Sequence, residues 1–215
     1  MSAMPRAGLL PLIVGLILAL SGVTGAEPRR SASRSLLSPA ERNALHTGQT
    51  VSRRVRFTRG EAGRYVGGVS YQVVRASPRE VLLALADVRA LPYALPHTHT
   101  AELLDSSGHS ARVELVQGKA PFLATYTLAL EQAPGGDEIR FWLDPKRPHD
   151  IRDLWGFFRV REFGPGRTLI TVGVAIDLGP GLVRLLFEDR VEQAILRAPA
   201  RIRDFVEPRA LAAAP

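Results

Sequence analysis

The strongest constraint on the fold is a long stretch of sequence that predicts strands alone and is followed directly by one long helix. Between residues 99 and 178, apolar and polar residues alternate, and short segments rich in Gly, Pro or Ser interrupt the alternation. Loops this short join neighbouring antiparallel strands, so the stretch predicts an antiparallel meander. The predicted strands cover 99–105, 110–117, 121–131, 137–143, 153–163 and 167–178.

The helix that follows is predicted over 182–206, after the turn Gly179-Pro180-Gly181. Its apolar residues recur at helical spacing, and its charged residues largely fall elsewhere. A sheet and a helix that each have one apolar face bury those faces by packing together. The sequence therefore predicts an α+β domain in which the sheet packs on its C-terminal helix.

Upstream of the meander, the sequence predicts one more strand over 66–76 and two short helices. Ser77-Pro78-Arg79-Glu80 has the spacing of a capping box and starts a helix that ends near Asp87. A second short helix is predicted to end near Leu91, because Pro92 and Pro96 follow. Nearer the N-terminus, a similar capped helix is predicted from Pro39 to about His46, and an exposed strand over 51–58.

This order of elements resembles the START-like, or helix-grip, superfamily. The superfamily is also called SRPBCC and includes polyketide cyclase/dehydrase and coenzyme Q-binding proteins. The segment VVRASPREVLLALADVRALPYALPH is similar to its first strand and two short helices. DIRDLWGFFRVREFGPGRTLITVGVAIDLGPGLVRLLF is similar to its last hairpin and the start of its final helix. The resemblance covers about residues 66–207 and rests on order and spacing, because neither segment contains a short diagnostic motif.

The resemblance implies a curved antiparallel sheet wrapped around the long C-terminal helix, with a cavity between them for a lipid, isoprenoid or polyketide-like molecule. We expect the START-like domain to span 65–207 and to be followed by a tail of residues 208–215. Small residues in the last hairpin are expected to leave space in the sheet. The expected ligand-binding residues are Tyr93, Phe122, Tyr126, Phe141, Trp155, Phe158, Gly156, Gly173 and Leu186. For each aromatic residue, packing in a filled core is the alternative.

Three histidines raise the alternative of a metal site. His97 and His99 would share one face of an extended backbone, and His109 from the neighbouring hairpin could complete a three-histidine zinc site. The interpretation that we favour is two unrelated histidines at a junction between a loop and a strand. The sequence therefore predicts no metal and no cofactor.

A second cluster raises the alternative of catalysis. His149 lies next to Asp150 and near Asp153, and a turn could bring them together as the acid–base pair that a cyclase or dehydratase needs. Adjacent residues on a strand point to opposite faces, so we favour a polar loop and predict no catalytic residue. We therefore expect binding or transport of a hydrophobic small molecule, with a cyclase- or dehydratase-type enzyme as the alternative.

The first 26 residues predict a secretory signal. Arg6 is their only charged residue, an apolar run extends from Leu9 to Leu20, and small residues lead to a cleavage site near Ala26. Retention of this segment as a membrane anchor is the alternative. In either case we expect the rest of the chain to be exported, as a periplasmic or secreted protein.

The net charge of +7 is concentrated in residues 27–64. This predicted linker, with its short helix and possible extra strand, has nine arginines against three glutamates, which leaves +6. An exported protein does not meet nucleic acid, so an anionic membrane surface is the candidate partner of the linker. A solvated, arginine-rich segment without a partner is the alternative.

Overall fold

The computed structural model describes residues 37–60 and 63–213. The predicted signal at 1–26 and the first part of the predicted linker, 27–36, lie outside the described residues. The described elements are α1 (Pro39–His46), β1 (Val51–Arg59), β2 (Gly63–Val74), α2 (Pro78–Ala86), a 3₁₀ turn (Val88–Ala90), α3 (Leu91–Ala94), β3 (Thr98–Ser107), β4 (Ser110–Lys119), β5 (Phe122–Gln132), β6 (Glu138–Leu143), β7 (Asp153–Gly164), β8 (Arg167–Asp177) and α4 (Leu182–Ala213).

The eight strands form one antiparallel sheet in the order β1-β2-β8-β7-β6-β5-β4-β3. Strands β3 to β8 are the predicted meander, and β2 adds to its end by pairing with β8. The sheet curves around α4, so the predicted helix-grip arrangement is confirmed. Within the described part of the chain, no helix is long and apolar enough to cross a bilayer.

Both predicted helix starts are capping boxes. The Ser38 hydroxyl accepts the N–H of Glu41 at 3.2 Å, and the Glu41 carboxylate accepts the N–H of Ser38 at 2.7 Å. Ser77 and Glu80 repeat the same two bonds at 3.3 and 2.6 Å. These reciprocal bonds satisfy backbone donors that a helix start leaves without partners.

The exposed strand predicted over 51–58 is present as an edge strand, β1, which pairs with β2 from Val51 to Arg59. Two other elements differ from the prediction. Helix α3 begins at Leu91 rather than ending there, because Pro92 lies in the first turn, where its missing N–H breaks no helical bond. Helix α4 continues past the predicted end near Val206 to Ala213, and Ala210 still packs on the core.

Apolar clusters cover both faces of the sheet. On the concave face, one cluster joins β2, β7 and β8 to the second half of α4 through residues such as Phe158, Ile170 and Ile202. A second concave cluster, which includes Leu115 and Tyr126, lies toward β4, β5 and β6. On the convex face, α1 inserts its fully buried Leu45 against β2.

Ion pairs hold α4 to the edge of the sheet formed by β1 and β2. Arg56 donates to both oxygens of Glu192, at 3.0 and 2.7 Å, and the Glu192 side chain is fully buried. Arg64 donates to Glu188 at 2.6 Å. The bonds from Arg56 hold the pKa of the Glu192 carboxyl below its usual range. Several arginines of the predicted basic linker are therefore bonded inside the domain.

Candidate ligand-binding cavity

A cavity of about 1700 Å³ lies between the concave face of the sheet and α4. It is larger than the roughly 300–1,000 Å³ of an ordinary small-molecule site, so it has room for a long or multi-ring ligand. Its wall is mostly apolar, because the inward residues on alternate strand positions are aliphatic or aromatic. The helix contributes Val191, Ile195 and Ile202, and the sheet contributes residues such as Leu115, Leu154, Val172 and Val174.

Parts of the cavity wall are exposed to solvent. One part, which we call the mouth, consists of His97, Lys119, Phe122 and Leu123 on the strand side and of Arg190, Gln193, Arg197 and Arg201 on α4. The β3–β4 turn, residues 106–110, and Asp150 are further exposed parts of the wall. The rings of Phe122 and Phe187 meet across the mouth, with centroids 4.7 Å apart. The mouth therefore combines apolar side chains with several cations.

One polar chain of hydrogen bonds lies in the otherwise apolar wall. The hydroxyl of Tyr126 donates to Oε1 of Gln117, and Nε2 of Gln117 donates to the hydroxyl of Thr98 at 2.6 Å. Tyr126 and Gln117 both line the cavity. Burial raises the pKa of the Tyr126 hydroxyl, so the group stays neutral near neutral pH. It remains able to accept a hydrogen bond from a ligand.

Four of the expected ligand-binding residues line the cavity: Phe122, Tyr126, Phe141 and Phe158. Gly156 lies on the same face as Phe158, two residues before it. A Cβ added at Gly156 would lie 2.3 Å from the backbone oxygen of Gly173 and 2.6 Å from two ring atoms of Phe141. The Phe141 ring thus occupies the space beside Gly156, and at this point the ring, not the glycine, lines the cavity.

Gly173 does not face the cavity, contrary to the sequence expectation. Its neighbours Val172 and Val174 line the cavity, so strand alternation directs Gly173 to the convex face. There a Cβ would lie 2.4 Å from the ring of Phe157, which is the cross-strand partner of Gly173. Trp155 is also on the convex face, 41% exposed, with its ring centroid 6.4 Å from that of Phe57.

Tyr93 and Leu186 also lie outside the cavity wall. Tyr93 is 70% exposed and lies in a shallow surface depression beside Arg201 and Phe205. Leu186 is 55% exposed, and its neighbour Phe187 lines the cavity instead. One position along a helix turns a side chain by about 100°, which is enough to separate these two residues.

The three histidines of the possible metal site are not brought together. His97 has a φ of 54°, so the backbone is not extended there, and only His97 of the first pair lines the cavity. The Nε2 of His99 donates to the carbonyl of Gly118 at 3.1 Å. His109 also lines the cavity, but from the β3–β4 turn. Among residues 37–60 and 63–213, no three His, Asp or Glu side chains are placed to hold a metal ion.

The possible catalytic residues also have separate partners. Nδ1 of His149 donates to the carbonyl of Ile151 at 2.7 Å, and Asp150 accepts the N–H of Thr125 at 2.8 Å. Asp153 accepts the hydroxyl of Tyr65 at 2.5 Å, a bond that raises the pKa of Tyr65 to about 12. Of these three residues, only Asp150 lines the cavity. The structure therefore forms no His–Asp pair from them.

The ligand-binding residues expected from the sequence did not include Gln117, Phe187 or the arginines of the mouth. Alternation along β4 could have identified Gln117, because Val113 and Leu115 precede it on the same face. The arginines of α4 were counted only as the polar side of an amphipathic helix. Their spacing of seven and then four residues, which places Arg190, Arg197 and Arg201 on one face of a helix, was the signal that could have identified them.

Comparisons with known proteins agree with this geometry. No family model matches the chain, and no curated protein matches its sequence. A STAR-related lipid transfer protein from Xanthomonas axonopodis matches with a TM-score of 0.56 and 14% identity, over 71% of this chain and 98% of that one. An aromatase/cyclase from Streptomyces sp. R1128 matches with a TM-score of 0.53 and 18% identity, over 75% and 94%. The chain has the START-like fold.

A protein from Thermus thermophilus has the same fold, with a TM-score of 0.57 and 18% identity over 68% of this chain and 98% of that one. Each alignment covers most of the solved chain, while a part of this chain lies outside each alignment. Identities this low show the shared fold alone. The ligand and the chemistry must be argued from the cavity itself.

Proposed function

We propose that this protein binds a hydrophobic small molecule in the cavity between sheet and helix and carries it without chemical change. The observation that carries the proposal is the volume of about 1700 Å³ inside a mostly apolar wall. An apolar cavity with few polar groups suits the binding of lipid-like molecules. The similarity in fold to a lipid transfer protein supports the proposal.

The aromatase/cyclase among the similar structures raises catalysis as the alternative. Such a reaction needs an acid–base pair that reaches the ligand. Asp150 is the one carboxylate in the described cavity wall, and its side chain accepts the backbone N–H of Thr125. Tyr126 is buried, and its hydroxyl already donates to Gln117. This arrangement favours binding over acid–base chemistry.

We also propose that the protein works after export. The apolar run from Leu9 to Leu20 and the small residues before Glu27 support this proposal. Intact-mass measurement of the protein recovered from the producing cell is the test, and we expect a mature chain that begins near Glu27. A chain recovered with residues 1–26 still attached would contradict it.

The binding proposal is tested with N-phenylnaphthylamine, an uncharged dye that fluoresces in apolar surroundings. We expect the dye to bind the protein, and Ala124→Trp to weaken the binding, because Ala124 lines the cavity. Ala129→Trp is the matched control. Ala129 lies on the same strand, five residues on and therefore on the opposite face, and is not part of the cavity wall.

Two results decide the matter. Weaker dye binding in Ala124→Trp alone, with both variants folded by circular dichroism, supports a ligand site in the cavity. Equal binding by the wild type and both variants would place the dye elsewhere and contradict the proposal. Native mass spectrometry of protein purified from its own cells, followed by lipid extraction, identifies the molecule that is bound.

A further inference from the structure

The charged residues of the cavity wall are strongly unbalanced. Lys119, Arg190, Arg197 and Arg201 line the cavity, and Asp150 is the one carboxylate among the described lining residues. All five are exposed to solvent. The cations therefore lie at the mouth, while the deeper wall is apolar.

The three arginines share one face of α4. Arg190 and Arg197 are about two turns apart, and Arg197 and Arg201 are about one turn apart, so they form a row along the helix. Glu188 and Glu192 lie on the opposite side of the helix, where they bind the arginines of β1 and β2. The helix thus directs its acidic side to the edge of the sheet and its basic side to the mouth.

The mouth cations also differ from other cations of the domain in what they contact. Arg53, Arg56, Arg64, Arg112, Arg159 and Arg184 each bind a carboxylate. Lys119, Arg190, Arg197 and Arg201 form no ion pair with any described residue, and the guanidinium of Arg190 lies 5.6 Å from the ring centroid of Phe187. Four cations that line the cavity therefore form no ion pair within the described domain.

His97 lines the cavity beside two of these cations, Lys119 and Arg201. Partial burial of its imidazole, and then the charges of Lys119 and Arg201, lower its pKa. Like charges disfavour the protonated form of a histidine, so Lys119 and Arg201 both act on the same small region beside His97. An anion placed there would relieve this repulsion.

We propose that the mouth selects an amphiphile with an anionic head group, a carboxylate or a phosphate, whose apolar chain occupies the cavity. This inference rests on the proposed function, since it specifies the head group of the hydrophobic ligand. Arg197 and Arg201 bind the head group from α4, and Lys119 binds it from the strand side. Guanidinium groups match carboxylate and phosphate oxygens in geometry as well as in charge.

The test compares dodecanoate and dodecyl phosphate with dodecanol, which has the same chain and no charge. Each competes with N-phenylnaphthylamine at about pH 8, where carboxylates are ionised. We expect the anions to bind more tightly than dodecanol. In Arg197→Gln/Arg201→Gln, this preference should fall by roughly 1.5- to 5-fold for each arginine, the range of partly exposed ion pairs. Salt should reduce it as well, because these charges are exposed.

Arg161→Gln/Arg167→Gln is the matched control, because it removes the same charge from the β7–β8 hairpin, outside the cavity wall. We expect it to leave the preference unchanged. Equal affinities for dodecanoate and dodecanol in the wild type would overturn the inference while dye binding still upheld the proposed function. Failure of the dye to bind at all would overturn both.

Two further experiments distinguish an anionic amphiphile from a free anion and from a bilayer surface. Inorganic phosphate alone should not displace the dye, since it has no chain to place in the cavity; displacement by phosphate would show a simple anion site and overturn the inference. Anionic vesicles made of phosphatidylglycerol test whether the cations serve a bilayer surface instead. Loss of vesicle binding in Arg197→Gln/Arg201→Gln, with the preference for dodecanoate unchanged, would also overturn it.

Discussion

Substitution of Gly173 tests which face of the sheet forms the cavity. An alanine Cβ at this position would lie 2.4, 2.8 and 3.0 Å from three ring atoms of Phe157. Carbon atoms prefer about 3.5–4.0 Å, so the ring would have to move by about 1 Å. Overpacking of this size costs about 1–3 kcal/mol. We expect Gly173→Ala to lie near the lower end of that range, because Phe157 is only half-buried and its ring can shift.

A double-mutant cycle isolates the contact. All three nearest atoms belong to Phe157, so in a Phe157→Ala background the added methyl meets no ring, and Gly173→Ala should cost close to nothing. The coupling free energy should therefore be about 1–2 kcal/mol, measured by urea unfolding followed by circular dichroism. The same cost in both backgrounds would refute the contact. Because Gly173 faces the convex side, dye affinity should not change in any of these variants, and a change would refute the assignment of faces.

Three further predictions concern the hydrogen bonds and charges around the cavity. Tyr126→Phe should lower the free energy of unfolding by about 1 kcal/mol, since Gln117 loses a buried donor, whereas Tyr93→Phe, at an exposed position, should not; urea unfolding measures both. The bond to Arg56 lowers the pKa of Glu192, so its stabilising effect is complete at neutral pH and is lost as the pH falls through that lowered pKa. Arg56→Gln should therefore lower the melting temperature at neutral pH more than in acid. Dodecyl phosphate should raise the pKa of His97, followed by NMR, and dodecanol should not.

The parts of the fold that the sequence predicted are those that depend on local signals. The capping boxes at Ser38 and Ser77 need only four consecutive residues, and both are formed. The strands of the meander follow from alternation and from short turns, and their order in the sheet follows because neighbours along the chain pair. The extension of α4 beyond Val206 was not predictable in this way, since it depends on the packing of Ala210 against the core.

The candidate site was predicted less well than the fold. The type of a residue does not reveal which face of the sheet its side chain lies on, or whether the space beside it is empty. Phe122, Tyr126, Phe141 and Phe158 were expected to line the cavity because they are aromatic, and they do; Tyr93 and Trp155 were expected for the same reason, and they do not. Gly173 was assigned from its small size, although alternation with Val172 and Val174 places it on the convex side. The empty space beside a glycine is also an unreliable sign of a pocket. Here a neighbouring Phe ring fills it at both Gly156 and Gly173.

A count of the charged residues in α4 does not reveal the row of arginines at the mouth. Residues 182–206 contain five arginines and four carboxylates, so the segment is close to neutral. Sorted by direction around the helix, Arg190, Arg197 and Arg201 form one row, and Glu188 and Glu192 lie on the opposite side. Glu188 and Glu192 meet Arg56 and Arg64, which come from the segment whose basic charge had suggested a membrane arm.

The second row has no such partner within the described domain. Arg190, Arg197 and Arg201 are left at the cavity entrance by the same helical geometry that satisfies the acidic side. A chain that needed these arginines only for solubility would gain equally from placing them on any exposed face. These arginines lie instead at the mouth of an apolar cavity, where they can bind the charged head group of a ligand whose chain lies inside. The preference for dodecanoate over dodecanol is therefore the measurement that separates a solvated row of arginines from a head-group site.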